Sequence, residues 1–257
     1  MTHLLEARGL SKRFGGVLAL DGLDLAVSAN EIIGLIGPNG SGKTTFFNVI
    51  TGIYTADAGQ VNFAGANMTN APSRAIYQAG VSRTFQRSRL SLPLSIFDNI
   101  MIGNHKRLNQ GLWFNLFTRG KFKQEFEKNY RAACALVEVF EPRLAERMLE
   151  PVAGLPMIDR RRIEICRALI SEPKLLLLDE PSAGMTHDET KELMNDILLV
   201  RARNKDLTII IVEHEMGVIE RITDRCVVLN FGRKIAEGPY RDVAADAQVQ
   251  EAYLGVE

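Results

Sequence analysis

The chain has 257 residues, 46% hydrophobic and 24% charged, with 31 basic and 31 acidic residues and a formal net charge of zero. This is the composition of an ordinary globular protein with a sizeable core, arranged as one domain with a subdomain or as two small domains. It excludes a general electrostatic grip on nucleic acid, which needs a basic surplus.

Met1-Thr2-His3-Leu4-Leu5-Glu6 has no basic segment followed by an apolar one, so no signal peptide is expected. The longest apolar runs, such as Leu175 to Leu178 and Thr208 to Val212, fall far below the roughly 20 residues of a membrane span, and the chain is expected not to cross a bilayer by itself. Cys134, Cys166 and Cys226 are odd in number and widely spaced in apolar periodic stretches. They read as reduced, buried thiols of a cytoplasmic protein. A metal site or catalytic thiol would call for a nearby His or second Cys.

Residues 4 to 36 predict short strands: Leu4 to Arg8, Leu18 to Val27 with a turn at Asp21-Gly22, and Glu31 to Ile36. Phe14 falls in a loop, Lys12-Arg13-Phe14-Gly15-Gly16, either as core packing or as a flat platform for an adenine ring.

Gly37-Pro38-Asn39-Gly40-Ser41-Gly42-Lys43-Thr44 then matches G-x-x-x-x-G-K-S/T in full, between a strand and the helix Thr44 to Thr51. Its glycines let backbone N–H groups close on an anion, and the helix aims its positive end at the same place. Lys43 is placed to meet the β- and γ-phosphates of a nucleotide, and the Thr44 hydroxyl to hold Mg²⁺.

Past the helix, Asp57 to Gln60 predict a turn and Val61 to Phe63 a strand. A helix ends at Gly80 and a strand runs from Val81 to Gln86, opening an aperiodic loop from Arg87 to Pro93. Ser95 to about Glu150 has helical spacing, as in Phe122, Phe126 and Tyr130. Within it, the Trp113 cluster from Asn109 to Phe117 reads as core or helix-packing loop, or alternatively as a docking surface for another subunit.

Arg161 to Ile170 is amphipathic. Leu175-Leu176-Leu177-Leu178 lack alternation, the mark of a parallel strand covered on both faces. Asp179 and Glu180 emerge at its C-terminal end, where open α/β sheets bind ligands. Asp179 is placed to reach Mg²⁺ and Glu180 to deprotonate an attacking water. Helix Thr186 to Arg203 and strand Leu207 to Val212 follow, then His214, a structural histidine or a γ-phosphate partner. Cys226 to Glu237 predict a hairpin, and residues 239 to 257 a last helix.

Gly37 to Thr44, Gln86, Leu175 to Glu180 and His214, in that order around a helical insertion, resemble the ATP-binding subunit of an ABC transporter along essentially the whole chain. Arg13-Phe14-Gly15-Gly16, Arg83-Thr84-Phe85-Gln86, Arg161-Arg162-Ile163-Glu164-Ile165, Glu213-His214-Glu215-Met216 and Ala252-Tyr253-Leu254-Gly255 look more specifically like the ATPase of branched-chain amino acid importers. The resemblance implies an α/β fold: a RecA-like P-loop NTPase core with an antiparallel β-subdomain (1–86 and 159–238), an inserted helical subdomain (87–158) and a C-terminal helix. It implies ATP and Mg²⁺ as cofactors. Phe14, Gly37 to Thr44, Thr45 and Gln86 would bind ATP, Thr44, Gln86 and Asp179 would serve the metal, and Glu180, His214 and Lys43 would be catalytic. Two such subunits would close head to tail around two ATP molecules beneath integral membrane permease subunits, at the cytoplasmic face, with a solute-binding protein outside and no nucleic acid partner.

The chain departs from this pattern where Leu-Ser-Gly-Gly-Gln is typical. Counting back from Arg161, that motif falls on Leu155-Pro156-Met157-Ile158-Asp159, and only the leucine matches. Pro156 has no hydroxyl and no N–H, and Ile158 puts a branched side chain where bare backbone would fit. Asp159 would turn a carboxylate toward a triphosphate, a repulsion of about 4 kcal/mol per charge pair at 4 Å and ε of 20. A shifted register would restore the contacts; otherwise the two ATP sites are asymmetric and a second, different ATPase subunit supplies the working motif. Thr186, where many members carry Asp, is a lesser departure. The competing functions are a soluble ATPase acting on nucleic acid or ribosomes and a non-hydrolysing regulatory subunit.

Overall fold

The computed structural model describes residues 3–86, 90–105 and 119–254. The chain forms two compact units, one of Met1–Arg83, Lys174–Pro181 and Asn204–Glu257, the other of Thr84–Pro173 and Ser182–Arg203. The Trp113 cluster and Arg87 of the aperiodic loop lie outside the described residues.

The first unit is built on two sheets. An antiparallel sheet has the order β2-β1-β4-β5, from β1 (Leu5–Phe14), β2 (Val17–Val27), β4 (Ala58–Phe63) and β5 (Ala66–Asn67). The other sheet has six strands in the order β10-β9-β3-β8-β7-β6, from β3 (Ile32–Ile36), β6 (Val81–Arg83), β7 (Leu175–Asp179), β8 (Thr208–Val212), β9 (Arg225–Asn230) and β10 (Arg233–Gly238). All its pairings are parallel except the β9–β10 hairpin. Every residue of β3, β7 and β8 is buried, as unalternating apolar strands require. Leu5, Leu25, Phe63, Leu35, Phe46, Phe47, Leu177 and Val227 are among the residues of one shared core.

Four local expectations change. Phe14 is the last residue of β1 rather than a loop residue. Asp21-Gly22 does not break the second strand: Gly22 takes φ 62 and the β1–β2 register shifts there, a bulge that bends one strand where a turn would have made two. Ala58 to Gln60 are strand, since pairing with β1 supplies hydrogen bonds that turn chemistry alone does not foresee. The tail is two helices, α9 (Tyr240–Ala245) and α10 (Ala247–Leu254), split at extended Asp246, whose carboxylate accepts from the Gln248 and Val249 N–H groups. It thereby caps a new helix.

Other helices of this unit are α1 (Lys43–Ile50), α2 (Ser73–Ala79) and α8 (Met216–Ile222). Cys166 and Cys226 are buried and reduced, as expected, but Cys134 is only half-buried.

The second unit is helical among its described residues. It holds α3 (Ile96–Met101), α4 (Arg119–Phe140), α5 (Pro142–Ala145), α6 (Met157–Leu169) and α7 (His187–Arg203). Apolar side chains of α3 and α4 meet at Phe97, Phe126 and Tyr130, with ring centroids 5.3 to 6.0 Å apart. Arg162 is buried among carboxylates, 2.9 Å from Asp196, 3.1 Å from Asp159, 2.5 Å from Glu192 and 3.8 Å from Glu141. So many acids around one guanidinium keep it charged, while burial still pushes the Asp196 carboxyl up despite its partner.

Candidate nucleotide site

The loop from Gly37 to Thr44 joins β3 to α1, with Gly37, Ser41, Gly42 and Lys43 buried and Asn39, Gly40 and Thr44 exposed at its crest. Two glycines are obligatory, each through a positive φ and a close backbone carbonyl. At Gly37, φ is +144 and an added Cβ would lie 2.1 Å from the Leu229 carbonyl oxygen. At Gly42, φ is +108 and a Cβ would lie 2.6 Å from the Ala19 carbonyl oxygen. The loop is therefore packed hard against β2 and β9. The Phe231-Gly232 turn of the hairpin braces it as well, Gly232 N–H donating to the Ser41 carbonyl at 2.9 Å.

Gly42 caps α1 without a side-chain hydrogen bond, so the first N–H groups of the helix are directed at whatever anion the loop holds. Lys43 Nζ donates to the Gly37 and Pro38 carbonyls at 2.7 and 3.0 Å. Burial pushes its ammonium below the ordinary lysine value, while the nearby Glu180 and Asp179 charges pull it back up.

Glu180 follows β7 with φ 48 and its N–H on the Val212 carbonyl at 2.9 Å. A non-glycine residue in the left-handed region is a local cost, and such costs collect at working sites. His214, just past β8, brings Nε2 within 2.8 Å of Glu180 Oε1. The parallel pairing of Asp179 with Val212 sets these strand ends side by side.

Phe14 is 41% exposed, which removes core packing as its explanation. Its ring meets the Tyr54 edge at 5.1 Å, and Lys12 Nζ lies 5.5 Å from its centroid. Asp57 holds this corner, accepting from Arg13 N–H at 2.7 Å and from Lys12 at 2.9 Å.

The residues fit a magnesium nucleotide: a glycine-rich loop with Asn39, Gly40 and Thr44 exposed at its crest, a lysine, and hard oxygens on Thr44 and Asp179. Among the described residues no group of three or more His, Cys, Asp or Glu could hold a metal. Thr44 and Asp179 are the residues that would hold a divalent ion.

The first unit thus brings together the loop through Thr45, Asp179, Glu180 and His214, with Phe14 on its antiparallel sheet. Gln86 and Leu155 to Asp159 belong to the second unit. There Arg161 donates to the Phe85 and Gln86 carbonyls at 3.3 and 3.4 Å and pairs with Glu164 at 2.7 Å. Leu155 and Ile158 are buried, and Pro156 and Met157 are exposed at the start of α6, where Pro156 is the N-cap and offers no side-chain cap. Asp159 does not project freely as the sequence suggested. It turns back one helical step to Arg162 at 3.1 Å, because α6 places i and i+3 on one face. Thr186 has a plain local role: it exchanges hydrogen bonds with Glu189 in a capping box at the start of α7.

Three residues near the site escaped sequence reasoning. Arg83 donates to the Asp179 carboxylate and to the Asn48 side-chain oxygen, and only the run Arg83-Thr84-Phe85-Gln86 hinted at the arginine. Tyr253, pushed up by burial, has its phenol oxygen hydrogen-bonded by the Gly37 N–H, which pulls the other way.

A family model described as "ABC transporter" matches residues 20–183, and one described as "Branched-chain amino acid ATP-binding cassette transporter" matches residues 233–257. The chain is 37% identical over 254 residues to the high-affinity branched-chain amino acid transport ATP-binding protein LivG of Escherichia coli, covering 98% of each. It is 34% identical over 252 residues to BraF of Pseudomonas aeruginosa, again with 98% of each covered. A crystal structure of the ADP conformation of an ATP-binding cassette of an ABC transporter superposes with TM-score 0.84 at 30% identity, covering 100% of both chains. No helix among the described residues is long and apolar enough to cross a membrane. The glycine cradle, the paired Glu180 and His214 and these likenesses along nearly the full length agree: the chain belongs to the ATP-binding subunits of ABC transporters.

Proposed function

We propose that this chain is the energising subunit of an importer for branched-chain amino acids or related small solutes, seated at the cytoplasmic face beneath integral permease subunits. The observation that carries the catalytic part is the Glu180–His214 contact at 2.8 Å beside the loop lysine. Bound Mg²⁺·ATP supplies the phosphoanhydride and the charge that polarises it. Lys43 exchanges its loop carbonyls for phosphate oxygens, and Thr44 with Asp179 would hold the metal. Glu180 accepts the proton of the attacking water. His214 holds Glu180 in place and offers its own hydrogen bond to the γ-phosphate. Phe14 receives the adenine ring, and Gln86 serves the γ-phosphate and metal.

The N-terminus of α6 is the weak half. With Pro156 as cap, Ile158 buried and Asp159 bound to Arg162, it offers no hydroxyl and one N–H fewer to a second nucleotide. The chain works with a different ATPase subunit, which supplies an intact motif to the site of Gly37 to Thr44, while the opposite site binds ATP with little turnover. The transport names of the relatives favour the importer role over a soluble ATPase acting on nucleic acid or ribosomes.

The test is reconstitution with the permease and the partner ATPase in vesicles. Substituting Glu180→Gln in this chain abolishes ATP-driven uptake, whereas brisk turnover by this chain as a homodimer overturns the asymmetry. Full uptake with Glu180→Gln makes the chain a regulatory, non-hydrolysing subunit instead.

A further inference from the structure

Asp179 has a built surrounding at the end of β7. Arg83, the last residue of β6, donates Nη2 to Asp179 Oδ2 at 2.6 Å and Nη1 to Asn48 Oδ1 at 2.7 Å. Its guanidinium carbon lies 5.3 Å from the Phe47 ring centroid. The side chains of Arg83 and Asp179 are only 6% and 4% exposed. One arm of the fork thus holds the carboxylate, and the other holds α1.

Asn48 is a fixed anchor, because its own carbonyl accepts from Ile53 and Tyr54 N–H at 2.9 and 3.1 Å. It also stands four residues after Thr44, one turn along the same face of α1. A guanidinium spans two such acceptors in one plane, which the single ammonium of lysine does not. A buried ion pair alone is poor evidence of stabilisation, since desolvation offsets its attraction. The second arm and the ring stack are what make this contact directional.

We propose that Arg83 is a positioning residue for the divalent cation: by gripping Asp179 and Asn48 together, it sets the spacing between the Asp179 carboxylate and the Thr44 hydroxyl. The inference rests on the assignment of Mg²⁺ to those two oxygens. It also has a sign that simple electrostatics does not share. A cation beside a cation repels, so on charge alone removing Arg83 would tighten Mg²⁺; positioning predicts that Mg²⁺ is lost.

The experiment titrates a fluorescent ATP analogue into the full-length chain in EDTA and in saturating Mg²⁺, and reads the gain in affinity that Mg²⁺ confers. Arg83→Met lowers that gain about 10-fold or more, as loss of an outer partner of a metal ligand does, and leaves metal-free affinity within about 2-fold. Arg83→Lys restores part of it. Asn48→Ala, which keeps the ion pair and frees only α1, lowers the gain in the same direction and decides the matter if Arg83→Met does not fold. An unchanged or larger gain, or equal losses with and without Mg²⁺, overturns the proposal. Thr44→Ala and Asp179→Asn separate the two failures. If they abolish the gain while the Arg83 and Asn48 variants keep it, positioning alone is wrong; if they keep it too, the metal assignment falls and the inference with it.

Discussion

Glu180 Oε1 and His214 Nε2 meet at 2.8 Å across the ends of two neighbouring parallel strands, with Glu180 17% exposed and His214 48% exposed. The glutamate is thus held by a partner that solvent and substrate still reach. Substituting Glu180→Gln keeps the shape but removes the base, so turnover falls about 10³-fold with ATP affinity retained. His214→Ala frees the glutamate without deleting it and costs about 10²-fold. Single-turnover hydrolysis alongside equilibrium binding, with the partner ATPase present, checks both; equal losses of binding and turnover would contradict the assigned roles.

Lys43 gives a pH dependence with a definite sign. Burial lowers its value in the empty loop below the ordinary 10.5, whereas phosphate oxygens favour the ammonium and raise it on binding. Nucleotide affinity is therefore full below the lowered value and is lost as pH rises through it, levelling off above the value in the complex. Binding of a fluorescent ATP analogue from neutral to alkaline pH shows this loss. Lys43→Arg binds with a flatter profile, since guanidinium stays charged throughout.

The glycines of the loop differ in what they tolerate. An alanine at Gly37 puts its Cβ 2.1 Å from a backbone oxygen, on top of φ +144, while one at Gly40 has φ +78 and meets nothing within 4 Å. Gly40→Ala accordingly costs about 1 to 2 kcal/mol of left-handed strain. Gly37→Ala adds a clash that only backbone movement relieves and costs about 3 kcal/mol or more. Denaturant unfolding of the two variants ranks them, and equal midpoints would refute the packing described for β9.

Restoring Pro156→Ser, Ile158→Gly and Asp159→Gln together rebuilds the helix-terminal anion site at the start of α6. The chain alone then gains ATP turnover at high protein concentration, where two copies can pair. Asp159→Gln by itself removes one of four carboxylates around Arg162 and changes stability by about 1 kcal/mol, because the three that remain keep the buried guanidinium compensated. A thermal melt of the single variant and a turnover assay of the triple variant read these separately. No gain from the triple variant would locate the defect elsewhere.

The phosphate loop, the buried leucine strand and the acidic pair after it are legible from residue order, because each is a local pattern. Glycine spacing, an unbroken apolar run and a following carboxylate need no distant partner to be read. Folding had to decide the rest. Ala58 to Gln60 became strand only through pairing with β1, Phe14 lost its core reading through its exposure, and Asp159 turned to Arg162 instead of outward. Arg83 met Asp179 from 96 positions away. Such contacts are set by parallel strand order, which places the ends of β6, β7 and β8 in one row although long stretches of chain separate them. Composition and spacing along the chain establish which chemistry is present, and strand order establishes which groups share it.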